Sequence, residues 1–189
     1  MPKVRHKPAV CFDRSWRERA DVVLCPVSAV SEFLLRHYLR KRPAVVVATF
    51  MLLIDGMARG CAVYALPPKQ TSVRYGGETW ELARLFLDDD IPTNGESFLI
   101  AQTVRLIRKM SNKPKALVSY ADPSHGHEGA IYRASNWTPD GKTDEGRKTP
   151  RFDYRANGVT FSRRAHVPVG AIVERVPRVS KFRYVMRVA

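Results

Sequence analysis

Val30, Phe33, Leu34, His37 and Tyr38 recur at i, i+3, i+4, i+7 and i+8, the spacing of one helical face. A helix there would start at a capping Ser28 or Ser31 and must stop before Pro43. Residues 44–54 then form a β-branched apolar run, Asp55-Gly56 is a turn signal, and residues 61–66 form a second run closed by Pro67-Pro68, together a two-stranded hairpin. A largely buried strand follows at 80–87, then the polar loop Asp88-Asp89-Asp90-Ile91-Pro92-Thr93-Asn94-Gly95. The spacing predicts a helix over 97–110, with Ile100, Val104 and Ile107 on one side and Arg105, Arg108 and Lys109 on the other. Thr93 and Glu96 have capping-box spacing at its start. Further expectations are a strand at 115–120, a short helix within 130–135, a mobile basic loop at 141–151, and strands near 152–161 and 182–188. Residues 1–24 read as a basic arm ending in a short strand, and 25–189 as one domain. The fold class is α/β: a mixed, mostly antiparallel twisted sheet flanked by helices.

Composition narrows the classes. At 189 residues, 44% apolar and 26% charged, the chain is long and apolar enough for one ordinary folded domain. Cys11, Cys25 and Cys61 are odd in number and lack CxxC spacing, which excludes a disulfide framework or a four-cysteine zinc site and fits a reducing cytoplasm. The longest apolar run falls short of the roughly 20 residues that span a bilayer, and the basic N-terminal stretch has no apolar signal core, so no membrane association is expected.

Charge is the abnormal quantity: +14 overall. Residues 1–104 carry fourteen basic and eleven acidic side chains, residues 105–189 eighteen and seven, so the second half holds +11. Such an excess points to a polyanion, most simply nucleic acid, with a merely soluble basic protein as the alternative.

Chemistry concentrates between Ser119 and Trp137, at the C-terminal end of a predicted strand, where α/β sheets place ligands. Asp122 suits a general base or metal ligand there, or simply a turn cap before Pro123. His125-Gly126-His127 fits a metal pair without a third ligand fixed by spacing, or two exposed loop histidines. His37 sits on an apolar stripe as a core histidine would, but its neighbour Tyr38 makes the pair an acid/base candidate. Asn94, Gly95 and Ser97 offer backbone N–H groups at a helix start, either a phosphate cradle or an ordinary turn; Tyr132 and Asn136 join them as candidate cofactor contacts. Tyr64 is either core or a site tyrosine. A phosphate loop GxxxxGK[ST], GxGxxG, the Asp-Pro-Pro-Tyr methyltransferase motif and the H-x-E…P-C-x-x-C deaminase signature are all missing from the sequence.

The runs Arg36-His37-Tyr38-Leu39, Gly60-Cys61-Ala62-Val63-Tyr64, Glu81-Leu82-Ala83-Arg84-Leu85, Ile91-Pro92-Thr93-Asn94-Gly95-Glu96-Ser97 and Leu117-Val118-Ser119-Tyr120-Ala121-Asp122, followed by Gly126-His127-Glu128-Gly129-Ala130-Ile131-Tyr132-Arg133-Ala134-Ser135-Asn136-Trp137, resemble the phage Mom family. The resemblance covers about residues 27–140. It implies a GNAT-like acyltransferase fold and addition of a methylcarbamoyl group to the exocyclic amine of adenine in phage DNA, which hides the genome from host restriction. By the same resemblance His37, Tyr38 and Asp122 are catalytic, and iron near His37 and Asp122 is implied. The group donor is unidentified, and three consecutive aspartates where GNAT enzymes hold a diphosphate argue against acetyl-CoA.

A DNA base modifier needs phosphate contacts and aromatic surface for an extruded base. Arg105, Arg108, Lys109, Arg133, Lys142, Arg147 and Lys148 are the expected phosphate contacts, and Tyr120, Tyr132 and Trp137 the stacking platforms. Double-stranded DNA in the host cytoplasm is the expected partner, with homodimerisation left open. The alternatives are a conventional acyl-CoA-dependent acetyltransferase and a non-catalytic basic DNA-binding protein.

Overall fold

The computed structural model describes residues 14–161, 170 and 172–188. A 3-10 helix, Arg14–Arg19, leads into β1 (Ala20–Leu24), and a second, Val27–Val30, into α1 (Ser31–Arg36). Then come β2 (Val46–Ile54), β3 (Met57–Ala65), α2 (Lys69–Arg74), β4 (Thr79–Leu87), α3 (Gly95–Arg108) and β5 (Ala116–Ala121). A 3-10 turn at Pro123–His125 precedes α4 (Ala130–Ala134), β6 (Thr138–Lys142), β7 (Phe152–Ala156), β8 (Val159–Phe161), β9 (Glu174–Pro177) and β10 (Phe182–Arg187). Seven strands form one sheet in the order β1-β2-β3-β4-β5-β10-β6, and β8-β7-β9 form a small second sheet. Only the β4–β5 pair is parallel among these described strands.

The sheet is mixed and mostly antiparallel, as the alternation of patterns predicts, and the β2–β3 hairpin turns on Asp55 (φ 52°) and Gly56 (φ 75°). The main core lies where α3 drops Leu99, Ile100, Val104 and Ile107 onto Phe50, Leu52, Leu82 and Leu117. On the opposite sheet face α1 places Phe33 and Leu34 against Cys61 and Val63.

Several expectations are corrected. The arm drawn at 1–24 is too long: Trp16 is buried against Phe98, and Ala20–Leu24 pairs with β2 along its whole length. Residues 1–13 lie outside the described residues. α1 stops at Arg36, because the His37 ring nitrogen Nδ1 accepts the Leu39 N–H (3.1 Å) and His37 turns to an extended conformation. No Thr93–Glu96 capping box forms; Asn94 caps α3 in the left-handed region and Ser97 Oγ donates to its carbonyl. Residues 141–151 are not a bare loop: β6 enters at 138–142, and Asp144 pairs with Arg151. The strand expected over 152–161 is a hairpin turned by Asn157-Gly158, and α2, β6 and β9 were not anticipated.

Tyr64 is core. Fully buried, its hydroxyl meets Thr103 Oγ1 at 2.7 Å, and Thr103 in turn donates to the Ile100 carbonyl. Thr103→Val strands that buried hydroxyl and should destabilise the fold by about 1–3 kcal/mol, read as a lower urea midpoint at unchanged m-value. Equal midpoints would show the hydroxyl finds another partner.

Candidate functional site

β4 and β5 pair only at Thr79–Ala116, Trp80–Leu117 and Glu81–Val118, and then diverge. Ser119 Oγ spans the opening wedge, 2.8 Å from both Leu82 O and Tyr132 Oη. Beyond it lies a cavity of about 340 Å³ at the C-terminal end of the parallel strands. Its walls include His37, Tyr38, Ala83, Glu96, Tyr120, His127, Gly129 and Tyr132.

Asp122 follows the last residue of β5, Ala121, which itself lines this cavity, and caps the Pro123–His125 turn. One carboxylate oxygen accepts from Ser124 N (3.1 Å) and Ser124 Oγ (2.5 Å), and the other meets Lys181 Nζ at 2.7 Å. The turn-cap and functional readings of Asp122 therefore coexist. Burial pushes its pKa up, but the hydrogen bonds from Lys181 and Ser124 and the Lys181 charge outweigh it, so the net shift is downward and the carboxylate stays ionised.

His37 and Tyr38 reach the same place from the end of α1. The Tyr38 ring lies 4.5 Å from those of His37 and His125 and 5.5 Å from that of His127. Burial first, then the charges of Arg84 and His127, lower the His37 pKa to about 4. With Nδ1 accepting from Leu39, neutral His37 carries its proton on Nε2. Burial raises the Tyr38 hydroxyl pKa, with Lys181 pulling it down and Asp122 pushing it up. The sequence reading thus named three residues that the fold brings near one another, quoted Arg84 within a family-like run without a role, and missed Lys181, Ser119 and Ser124. Only Ser119 and Ser124 lay within the segment already singled out; Lys181, 59 residues from Asp122, had no local signal.

Other expectations fare differently. Trp137, only 3% exposed, packs on Tyr132 in the core, so it offers no face to a base. Tyr132 lines the cavity but is itself buried, its hydroxyl pKa raised to about 12 by burial. Tyr120, half-buried on the cavity wall, is the remaining platform. Gly95 is buried, with Ile91 and Leu87 side chains where a Cβ would sit, and its N–H donates to Pro92 O. Asn136 is exposed in a left-handed turn after α4. Asp88 pairs with Arg36 (2.7 Å) and Arg59 (3.5 Å), and Asp90 with Arg59, so this acidic run ties the loop to α1 and β3. With Glu96 on the cavity wall and its glycine used for packing, the loop does not match a diphosphate cradle.

Arg105, Arg108 and Lys109 are exposed at the far end of α3, about 14–20 Å along the helix from Glu96. Arg133 donates to Glu128 O and Tyr184 Oη (2.8 Å each), and Arg147 to Thr149 O, whereas Lys142 lies over the Phe182 ring. Lys148 is exposed.

The iron implied by resemblance does not fit this arrangement. Among the described residues no group of three or more His, Cys, Asp or Glu side chains is placed to hold a metal ion. Nδ1 of His37 is already an acceptor and Asp122 is bound to Lys181, so no step is derived through a metal.

The sequence profile of the Mom protein family matches residues 22–189. The chain belongs to that family. A Mom-family relative, "Methylcarbamoylase mom" of Escherichia phage Mu, is 39% identical over 57 residues, which are 30% of this chain and only 24% of that relative. The fold is the GNAT fold. A GNAT family acetyltransferase from Elizabethkingia anophelis, solved with acetyl-CoA bound, superposes with TM-score 0.54 at 12% identity, covering 90% of this chain and 99% of that one. An IAA acetyltransferase from Bacillus cereus ATCC 14579 gives 0.56 at 14% identity, covering 89% and 99%. Among the described residues no helix is long and apolar enough to cross a membrane.

Two measurements probe this geometry. The His37 ring should remain neutral with Nε2–H down to about pH 4 in 15N-detected spectra. Between that value and an unfolded value of about 6.5 the unfolded chain binds a proton that the folded one does not, so this group lowers stability as pH falls through the window. A His37 ring protonated at pH 6 would refute the assignment. Separately, a Cβ at Gly129 (φ 78°) would lie 2.3 Å from Tyr184 ring carbons, whereas one at Gly126 (φ 73°) meets open space. Both Ala variants carry the left-handed backbone cost of about 1–2 kcal/mol. Gly129→Ala should melt measurably lower than Gly126→Ala, and equal melting would mean Tyr184 moves freely.

Proposed function

We propose that this Mom-family chain transfers a methylcarbamoyl-type group to the exocyclic amine of adenine in DNA, protecting phage DNA from restriction. The observation that carries the reading is a neutral imidazole and a tyrosine on the wall of one cavity of the GNAT wedge, with an ionised carboxylate one residue beyond the wall residue Ala121 and close enough to act on the tyrosine electrostatically. Family membership and the name of the phage Mu relative support the same chemistry.

The adenine amine is a weak nucleophile inside a duplex, so the base must leave the stack, with Tyr120 available on the cavity wall to receive it. As the bond from the amine nitrogen to the carbonyl carbon forms, that nitrogen loses a proton. Asp122, held ionised by Lys181 and Ser124, accepts the amine N–H and takes the proton; its fixed orientation aligns the nitrogen for attack. The transferring group arrives on an activated methylcarbamoyl donor, and negative charge grows on its carbonyl oxygen. As the carbonyl re-forms, the bond to the donor's leaving group breaks; that group departs with the electron pair and takes the proton from Asp122, which is again a carboxylate. The Nε2–H of His37 and the hydroxyl of Tyr38 supply hydrogen bonds to the carbonyl oxygen from positions set before reaction. A neutral His37 suits this role, because it donates without surrendering its proton.

Mass spectrometry of nucleosides from DNA of expressing cells tests the reading. The expected result is an adenine mass increment of one methylcarbamoyl group, reduced about 100-fold or more in Asp122→Asn and His37→Ala. Unmodified adenine alongside soluble, folded protein would overturn it, and variants that act like the wild type would assign the chemistry elsewhere.

A further inference from the structure

The charge count directs attention to the second half of the chain, where several basic side chains are tied to acidic ones within the fold. Arg151 pairs with Asp144, Arg178 with Asp153, Arg183 with Asp140 and Lys181 with Asp122. The side chains of Arg40, Lys41 and Arg42, by contrast, make no ion pair or hydrogen bond among the described residues, and all three residues are exposed. Only Leu39 separates them from His37 and Tyr38.

The backbone of this loop is held firmly. Arg40 N–H donates to His37 O (2.8 Å), Arg40 takes a left-handed φ of 45°, and Arg84 Nε donates to Lys41 O (2.9 Å). Ala83, next to Arg84, lines the cavity, as does Tyr38 three residues before Lys41. Arg40 and Arg42 also border a shallow groove on the outer side of α1, shared with Ser28 and Ser31. Three consecutive cations therefore sit on a fixed backbone one residue beyond the cavity-lining His37 and Tyr38, and Arg40 and Arg42 border a groove that Val27, Leu34 and Leu35 line together with Ser28 and Ser31.

We propose that the Arg40-Lys41-Arg42 loop is the principal phosphate-binding surface for the DNA strand that delivers the target base. The inference rests on the DNA-modification reading above and gives its partner a location. Fixed cations beside the reactive side chains match a polynucleotide backbone flanking an extruded base: the loop neutralises phosphates, positions the strand, and reads no base edge. The exposed cations of α3, the rival footprint, lie about 14–20 Å along that helix from the cavity wall and would grip DNA at a distance from the chemistry.

The test is the salt dependence of binding to a labelled 20-base-pair duplex by fluorescence anisotropy. It compares wild type, Arg40→Gln/Lys41→Gln/Arg42→Gln, and Arg105→Gln/Arg108→Gln/Lys109→Gln. Each lost phosphate contact lowers the slope of log K against log salt by about 0.9, so the loop variant should lose about 2–3 units, and the α3 variant less than one. Thermal melts check that both variants fold. Should the loop triple variant fail to fold, Lys41→Gln alone should still remove about one unit. A slope unchanged in the loop variant, or lost chiefly in the α3 variant, overturns the proposal. If adenine is nonetheless modified by the wild type, the functional reading survives that result; absence of both DNA binding and modification would remove both.

Discussion

Three residues of parallel pairing, followed by divergence, determine where everything else in this molecule can act. Had β4 and β5 stayed paired beyond Glu81 and Val118, their backbones would close the space that Ser119 now bridges. Sheet hydrogen bonds would be gained, and the cavity lost. The wedge is held open from both sides: Leu82 and the α3 core pull β4 one way, while the β10 pairing holds β5 from Phe182 to Arg187. Apolar clusters pack both sheet faces away from the opening, and the cavity between the strands receives polar side chains from the end of α1 and the β5–α4 loop.

Those side chains are ordered by opposing forces of similar size. Burial alone would neutralise Asp122, yet a lysine and a serine hold it charged. Burial also keeps His37 uncharged, and here Arg84 reinforces burial instead of opposing it. The result is a carboxylate and an imidazole fixed in different charge states within one cluster, with Tyr38 between them electrostatically. Because Asp122 also caps its own turn, the hydrogen bonds that position the loop are the ones that orient the carboxylate.

Elements with strong periodicity were legible from the chain: the β2–β3 hairpin, β4, α3 and β5 all follow from apolar spacing and turn residues. The end of α1 was not, because a histidine side chain competes with the helix for the Leu39 N–H, and periodicity carries no record of such a competition. Trp137 was misplaced for a related reason: an aromatic beside Asn136 in a polar segment reads as surface, but the left-handed turn at Asn136 swings it back onto Tyr132. At the site, His37, Tyr38 and Asp122 were legible through family resemblance, with the segment around Asp122 also marked by its polar density. Lys181 was not legible from any local pattern, since only the β10–β5 register brings it to Asp122.

The same distinction applies to charge. A net count says how many cations are in excess but not where they stand, whereas the folded chain ties particular ones to acidic partners. Asp140 alone receives Arg74 and Arg183, and Asp88 receives Arg36 and Arg59, so these arginines stabilise loops before they can attract phosphate. The exposed arginines of these pairs, Arg36 and Arg74, contribute little to stability individually, about 0–1 kcal/mol, but each pair fixes where its charge stands in the field outside the protein. Cations left without partners therefore shape that field more strongly than their number suggests. Where such a group stands on pinned backbone beside the reacting side chains, attraction of the polyanion and alignment of its base become consequences of one local structure.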